Sequence, residues 1–276
     1  MLEKIKKFIL NREVYYPNIY VFGYFFLKAI KKSFLAIGLI RPQKLDKDMF
    51  DWPLYYLHYK GELKEMKKKY LLSLSAGDYE FSDGKLDRKN PAEKPLHNSH
   101  RFLYETILML KPRSIFELGC GTGINLHNLK ILSPGARICG IDISDRQLEG
   151  LKKSYPDLKE AVKPADATVP FTTLPFDRCD IAYTQAVLMH IHTEDLHLAA
   201  LANLFKMADK YVILMESERK HRYLDDINKL FSKGMIDWDN HYFYNRIDPE
   251  TKQPLSIICS REKLNDNFIE LHNYKY

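Results

Sequence analysis

Short apolar runs in the second half of the chain alternate with stretches of helical periodicity. The runs lie near residues 114–118, 137–142, 160–163, 180–184 and 211–216. Between most of them, apolar residues recur three and four positions apart, which is typical of amphipathic helices. Strands that alternate with helices predict a doubly wound α/β fold with a mostly parallel sheet joined by right-handed crossovers. Two later β-like runs, near 241–247 and 255–260, predict a C-terminal hairpin.

The first apolar run leads into a glycine-rich turn. The run contains Glu117, and Gly119, Gly121 and Gly123 follow it on alternate positions before a helical pattern begins. A strand, a turn without side chains and a helix N-terminus together form a typical nucleotide pocket. Dinucleotide-binding proteins use the pattern G-x-G-x-x-G, and that pattern fails here because Ile124 occupies the third glycine position.

The segment Glu117-Leu-Gly-Cys-Gly-Thr-Gly123 resembles motif I of the class I S-adenosylmethionine-dependent methyltransferases. The resemblance covers roughly residues 98–262 and implies a seven-stranded sheet whose final strand is inserted antiparallel. It also implies that the glycine backbone lies against the methionine part of S-adenosylmethionine, with the acid near the amino group; S-adenosylhomocysteine would be the product. The cofactor contacts expected in this turn are Glu117, Gly119, Cys120, Gly121, Thr122, Gly123 and Asn125.

A second acid follows the glycine turn by about 20 residues, at the end of the next apolar run. Asp142 in this position is placed to accept hydrogen bonds from both ribose hydroxyls, with Ile143 beside the cofactor. The alternative interpretation is an acid that only stabilises a turn at a strand end. Ser144-Asp-Arg-Gln147 is a capping-box pattern and predicts the start of the next helix.

A third acid, Asp166, follows the third run. The family resemblance implies that its carboxylate accepts from the adenine amino group and that Ala167 offers a backbone N–H to the ring. The alternative is a loop aspartate that caps its own turn. Thr184 and Gln185, at the end of the fourth run, complete the expected cofactor contacts.

The segment after the fourth run is the expected methyl-acceptor side. It resembles the motif IV region of small-molecule and sugar methyltransferases. Some of those enzymes hold a divalent metal in this region with two acids. Ala186 and Met189 occupy the positions of those acids in this chain, so no metal site is expected. Methyl transfer requires an aligned oxygen or nitrogen nucleophile and, for some acceptors, a base. The candidate catalytic residues are His190 and His192 as bases and Tyr183 as a wall of the acceptor site or a hydrogen-bond donor. The alternative for the histidines is a surface position or a helix-capping role.

Missing motifs narrow the acceptor class. The segment Thr184-Gln-Ala-Val has neither the Asn-Pro-Pro-Tyr pattern of adenine methyltransferases nor the Pro-Cys nucleophile of cytosine enzymes, and the glutamate pair of arginine methyltransferases is absent. A small metabolite, a sugar or a lipid-linked glycan remains as the acceptor, and no nucleic acid is expected. The competing hypotheses are a non-catalytic S-adenosylmethionine-binding protein and a nicotinamide-dependent oxidoreductase.

The length and composition of the chain leave room for a second region before the methyltransferase domain. With 45% hydrophobic and 28% charged residues, the 276-residue chain is typical of a globular protein with a full core. Four cysteines form no C-x-x-C pair, which favours a reducing, cytoplasmic location. We place the methyltransferase domain at residues 96–276 and a mainly helical, basic and aromatic extension at residues 1–95.

The start of the extension has a net positive charge close to that of the whole chain. Residues 1–32 contain seven Lys or Arg and two Glu, a net charge of +5, against +6 for the whole chain. The apolar stretch Ile19 to Leu27 is far shorter than the roughly 20 residues that a transmembrane helix needs. Two interpretations stay open: helices that cover the mouth of the cofactor domain or form a homodimer contact, or a basic amphipathic segment within residues 1–40 that lies on an anionic membrane surface.

Overall fold

The computed structural model describes residues 63–192, 195–217, 221–247 and 254–271. The chain divides into two compact units, residues 1–68 and residues 69–276, and nearly all described residues belong to the second. The expected lid, dimer contact and membrane segment within residues 1–40 lie outside the described residues. None of the helices in the described part of the chain combines the length and apolar character needed to cross a membrane.

The second unit contains ten strands and five α-helices among its described residues. The strands are β1 (Tyr79–Ser82), β2 (Lys85–Arg88), β3 (Ser114–Leu118), β4 (Arg137–Asp142), β5 (Val162–Pro164), β6 (Cys179–Gln185), β7 (Ala208–Met215), β8 (Tyr242–Ile247), β9 (Pro254–Ser260) and β10 (Ile269–Glu270). The helices are α1 (Asn98–Met109), α2 (Ile124–Leu132), α3 (Asp145–Ser154), α4 (Leu196–Met207) and α5 (Tyr223–Ser232).

Eight of these strands form one sheet in the order β10-β8-β9-β7-β6-β3-β4-β5. The five neighbouring strands β7, β6, β3, β4 and β5 are parallel to one another. Strand β9 lies between β7 and β8 and is antiparallel to both. The predicted α/β class, with a mostly parallel sheet and antiparallel C-terminal strands, is confirmed. The expected count of seven strands is one short, because the two-residue strand β10 pairs with β8.

Helices cover both faces of the sheet, because successive strand residues point to opposite sides. Ile115 packs with the apolar residues of α1, α2 and α3, whereas its neighbour Phe116 packs with those of α4 and α5. In the register of the central strands, Leu118 of β3 lies opposite Ile141 of β4 and Thr184 of β6. The carboxyl ends of these three strands therefore meet at one edge of the sheet, where ligands bind in folds of this kind.

Residues 69–95 belong to the same compact unit as the sheet, although the sequence analysis assigned them to a mainly helical extension. They contain the hairpin β1–β2, whose turn residues Asp83 and Gly84 both have positive φ, 49° and 77°. This is the backbone conformation that Asp-Gly favours in tight hairpin turns. Leu74 and Leu86 are buried in the same cluster as α1, so this segment forms part of the core.

A buried ion pair connects the hairpin, α1 and β8. Arg246 Nη2 lies 2.8 Å from Glu105 Oε2, and both side chains are about nine-tenths or more buried, with 10% and 5% exposed. Glu105 Oε1 also accepts from the Leu86 backbone N–H at 3.0 Å. Arg246 Nη1 donates to Phe102 O and to Thr106 Oγ1, each at 3.1 Å. This network is the polar centre of an otherwise apolar contact.

Candidate active site

The glycine turn lies between β3 and α2. Gly119, Gly121 and Gly123 all have positive φ, at 79°, 52° and 75°. A Cβ atom at Gly119 would lie 2.4 Å from a methyl carbon of Val187, and one at Gly123 would lie 2.4 Å from Leu151 Cγ. Both positions thus require glycine for conformation and for space. The helix α2 begins without a side-chain cap, which leaves N–H groups of its first turn for a ligand or water.

Glu117 lies beneath this turn with 2% of its surface exposed. Its Oε1 accepts from Asn125 Nδ2 at 2.9 Å, while Oε2 has no hydrogen-bond partner. Desolvation raises the pKa of Glu117 to about 8, and Asn125 and the neighbouring Tyr183 hydroxyl oppose that shift. The Tyr183 hydroxyl is buried beside this carboxylate, and it too has no hydrogen-bond partner among the described residues. A buried carboxylate oxygen without a partner is a suitable acceptor for a cationic ligand group.

Asn125 connects the turn to two other elements. Its Nδ2 donates to Glu117 Oε1 and to Gln185 Oε1, both at 2.9 Å. Its Oδ1 accepts from the Tyr104 hydroxyl of α1 at 2.8 Å, and that hydroxyl in turn accepts from Asn128 Nδ2 at 3.0 Å. The sequence predicts Asn125 and Gln185 as cofactor contacts, and it gives no prediction for Tyr104 or Asn128. Their roles depend on how α1 packs against α2, and polar residues within helical apolar patterns were the only signal.

Asp142 is the last residue of β4, and its carboxylate binds the glycine turn. Its Oδ2 accepts from the Gly121 N–H and its Oδ1 from the Ser144 N–H, each at 2.8 Å. Burial raises the pKa of Asp142, and these two bonds counteract that rise. The carboxylate therefore has the turn-stabilising role of the alternative interpretation, while each oxygen keeps a lone pair for a ribose hydroxyl. Ile143 beside it is 50% exposed, so it offers an apolar surface to a ligand.

Asp166 occupies the loop after β5. Its Oδ1 accepts from the backbone N–H and the hydroxyl of Thr168, at 2.8 and 2.7 Å, so it caps its own turn. Asn203 of α4 holds the same loop by donating to the carbonyl oxygens of Ala167 and Val169, at 2.8 and 2.7 Å. Sequence analysis did not identify Asn203, which is buried and far away in the sequence.

The candidate catalytic residues occupy different surroundings. His190 ends a short 3-10 helix, Leu188–His190, just beyond β6, and desolvation and the neighbouring His192 lower the pKa of His190. Both histidines follow the carboxyl end of β6, on the same edge of the sheet as the glycine turn. Tyr183 is fully buried and lies opposite Glu117 in the strand register. Tyr183 thus lies beside Glu117 beneath the glycine turn, and the two histidines lie beyond the carboxyl end of β6.

Three histidines and an aspartate form a column beyond the end of β6, and among them only His192 was a candidate from the sequence. His192 faces His221 with ring centroids 6.2 Å apart, and His221 stacks on His197 at 4.0 Å. His197 is buried, and its Nε2 lies 3.2 Å from Asp226 Oδ2 of α5. Within the described residues, no group of three or more His, Cys, Asp or Glu side chains is arranged to hold a metal ion.

The raised pKa of Glu117 predicts how stability depends on pH. Between pH 4.5 and about 8 the folded protein keeps a proton on Glu117 that the unfolded chain releases. The free energy of unfolding therefore decreases as pH rises through this window. Glu117→Gln removes the ionisable group and keeps an oxygen for Asn125. In thermal unfolding from pH 5 to 8.5, the melting temperature of the variant should rise relative to that of the wild type as pH rises, because each pH unit inside the window changes the free energy of unfolding of the wild type by at most ~1.4 kcal/mol.

Asp180→Asn is the control for this pH series. Asp180 is a buried acid at the other end of β6, and its pKa is lowered: desolvation raises it, but bonds from Arg113 N–H and Lys210 outweigh that effect. Both its folded and unfolded pKa values lie below pH 5, so this variant should differ from the wild type by a constant amount over the series. A Glu117→Gln difference that is equally constant would show that Glu117 ionises normally in the folded protein.

Residues 115–209 match the sequence model of a methyltransferase-domain family. A TehB-like S-adenosylmethionine-dependent methyltransferase from Corynebacterium glutamicum has the same fold, with a TM-score of 0.50 and 15% identity over 79% of this chain and 100% of that chain. Two further solved structures are similar at lower scores. One is the magnesium protoporphyrin IX methyltransferase from Synechocystis with bound S-adenosylmethionine, with a TM-score of 0.44 and 17% identity over 59% of this chain and 80% of that chain. The other is a sugar N-methyltransferase from Streptoalloteichus, with a TM-score of 0.37 and 13% identity over 44% of this chain and 48% of that chain.

A search of curated protein sequences finds no significant match. The family match covers the glycine turn and the three acids at the strand ends, and the sheet contains the inserted antiparallel strand that the resemblance implied, β9 between β7 and β8. Residues 115–209 are therefore a methyltransferase domain, and this part of the chain has the fold of the class I S-adenosylmethionine-dependent methyltransferases.

Proposed function

We propose that this protein transfers a methyl group from S-adenosylmethionine to an oxygen or nitrogen of a small molecule, specifically a sugar or a substrate of a glycan pathway. The observation that carries the proposal is the donor pocket, in which the unpartnered Glu117 Oε2 and the Asp142 carboxylate flank a glycine turn. When bound, S-adenosylmethionine supplies an activated methyl group on a sulfonium. The residues present fit it: an anionic acceptor for the amino group and an acid at the strand end for the ribose.

Each part of the pocket has a separate role in this proposal. Glu117 accepts from the cofactor's amino group, and Asn125 keeps the carboxylate oriented. A bound ammonium group favours ionised Glu117, so cofactor binding near pH 7 releases a proton. Asp142 accepts from the ribose hydroxyls. Asp166, oriented by Thr168, accepts from the adenine amino group, with the Ala167 N–H beside the ring.

The acceptor is assigned to the edge that follows β6. Because desolvation lowers the pKa of His190, its ring is neutral at pH 7 and can accept a proton from the acceptor. His192 is the second candidate base. Support for the sugar or glycan class comes from the motifs that residues 184–191 lack and from the positive charge concentrated in residues 1–32. The region of residues 1–40 either covers the mouth of the cofactor domain or forms a homodimer contact, or its net positive charge binds an anionic membrane surface on the cytoplasmic side. Co-sedimentation with anionic vesicles, with and without residues 1–40, tests the membrane contact.

Calorimetric titration with S-adenosylmethionine and S-adenosylhomocysteine tests the cofactor part of the proposal. We expect micromolar binding of both ligands and none of a nicotinamide dinucleotide. If neither ligand binds, the proposed function is wrong. Methyl transfer is then measured over sugar nucleotides, glycolipids and small acids. Tight S-adenosylhomocysteine binding without transfer to any of these classes would favour a non-catalytic binding protein.

Once an acceptor that the protein methylates has been found, His190→Gln tests whether His190 is the general base. Loss of a general base is expected to lower kcat about 10²- to 10⁴-fold, while the Kd for S-adenosylhomocysteine stays within about twofold. His192→Gln serves as the matched comparison, since both side chains follow the same strand. An unchanged kcat in His190→Gln, with a loss in His192→Gln, would transfer the role to His192.

A further inference from the structure

We propose that Glu216 is a positioning residue, which fixes the loop of residues 185–190 against the donor pocket and thereby supports cofactor binding. Its consequence for methyl transfer rests on the proposed function. Glu216 follows the last residue of β7, and no sequence motif indicated a role for it. Its carboxylate binds the neighbouring loop after β6, which also carries the candidate base His190.

The Glu216 carboxylate makes four hydrogen-bond contacts with this loop and the strand before it. Oε1 accepts from the Val187 N–H at 2.9 Å and from Thr184 Oγ1 at 3.0 Å. Oε2 accepts from the N–H groups of Val187 and Met189, each at 3.1 Å. One carboxylate thus satisfies two backbone donors and one hydroxyl. Without it, these donors would be left unpaired, at a cost per group comparable to a lost hydrogen bond.

The loop conformation requires such support. Ala186 has φ of 54°, in the left-handed region that residues other than glycine rarely occupy. The Ala186 N–H donates to Met215 O at 3.1 Å, just before Glu216 in the chain. Met215 and Glu216, at the end of β7, therefore accept hydrogen bonds from three backbone N–H groups of the loop, those of Ala186, Val187 and Met189. These bonds offset the backbone strain at Ala186.

The loop in turn forms part of the donor pocket. The Val187 side chain packs so closely on Gly119 that a Cβ there would lie 2.4 Å from it. Gln185 Oε1 accepts from Asn125, which also donates to Glu117. Displacement of the loop would remove a contact with the glycine turn and a bond to the Asn125 amide. Glu216 acts on the cofactor pocket through these two contacts rather than by touching the cofactor.

The electrostatics of Glu216 agree with this role. Desolvation raises the pKa of Glu216 to about 7, and the bonds from Val187, Met189 and Thr184 act in the opposite direction. Those bonds therefore favour the ionised form, which is the better acceptor. Glutamine in this position has a single acceptor oxygen, and its NH₂ group would face an N–H donor. Glu216→Gln therefore keeps the size of the side chain and removes half of its accepting capacity.

The test compares Glu216→Gln with the wild type and with Asp180→Asn at pH 8.5. Asp180 is a buried acid near the opposite end of β6 and accepts from the Arg113 N–H at 2.7 Å, so it controls for general loss of stability. We expect amide hydrogen exchange at Val187 and Met189 to accelerate at least tenfold in Glu216→Gln. The Kd for S-adenosylhomocysteine should rise about tenfold. Asp180→Asn should change neither quantity.

The two readouts separate this inference from the proposed function. If the wild type does not bind S-adenosylhomocysteine, the proposed function fails, and the exchange rates alone still decide whether Glu216 fixes the loop. Unchanged exchange at Val187 and Met189 in Glu216→Gln would overturn the positioning role. So would equal changes in Glu216→Gln and Asp180→Asn, because they would reflect lower global stability.

Discussion

Asp142→Asn is expected to weaken the binding of S-adenosylhomocysteine about 100-fold, or ~2.7 kcal/mol. The carboxylate accepts from the N–H groups of Gly121 and Ser144 at 2.8 Å, and in the proposed function it also accepts from the ribose hydroxyls. An asparagine has one acceptor oxygen, so it cannot replace both backbone bonds and the bonds to the ligand. Isothermal titration at pH 7.5 measures the loss, with thermal unfolding recorded on the same samples.

Two results would separate the two interpretations of Asp142. If Asp142→Asn lowers the melting temperature by a few degrees and leaves the Kd unchanged, the carboxylate is a turn-stabilising acid only. A 100-fold loss of affinity supports contact with the ligand, provided that Asp180→Asn, which also removes a buried acid from the same sheet, keeps wild-type affinity.

The geometry of the glycine turn could be predicted from the sequence because it depends on residues that are close together in the chain. The apolar run of β3, the spacing of the three glycines and the acids at the ends of β3 and β4 all lie within 30 residues of one another. Their geometry follows from backbone rules: parallel strands end at one edge, and positive φ requires glycine. In the structure, Asp142 accepts from the Gly121 N–H within the turn, and Glu117 accepts from Asn125 just after it.

The contacts that hold the pocket in place could not be predicted in the same way. Tyr104 reaches Asn125 from 21 residues away, and Glu216 reaches Val187 from 29 residues away, in each case across a packed interface. A glutamate after a strand or a tyrosine in a helix has no local signature of such a role. Asp83-Gly84 did carry a hairpin signal, but the runs beside it are only four residues each and largely polar.

Breaking the buried pair of Arg246 and Glu105 is expected to have the largest effect on stability. Arg246→Met removes the cation and leaves Glu105, which is 5% exposed in its side chain, as an uncompensated buried charge. Such changes typically cost ~3–5 kcal/mol. The guanidinium also lies over the Phe102 ring, 4.6 Å from its centroid, so the substitution loses packing as well as charge. Urea denaturation followed by circular dichroism measures the free energy of unfolding.

The exposed pair Lys130–Asp157 provides the matched control, since its atoms approach to 2.9 Å and its side chains are 41% and 53% exposed. Lys130→Met should cost less than about 1 kcal/mol, because water solvates Asp157 when its partner is lost. The double variant Arg246→Met with Glu105→Gln should recover part of the loss, because no unpaired charge remains. If Arg246→Met lowers the free energy of unfolding no more than Lys130→Met does, then water solvates Glu105 and the β1–β2 hairpin does not bury this carboxylate.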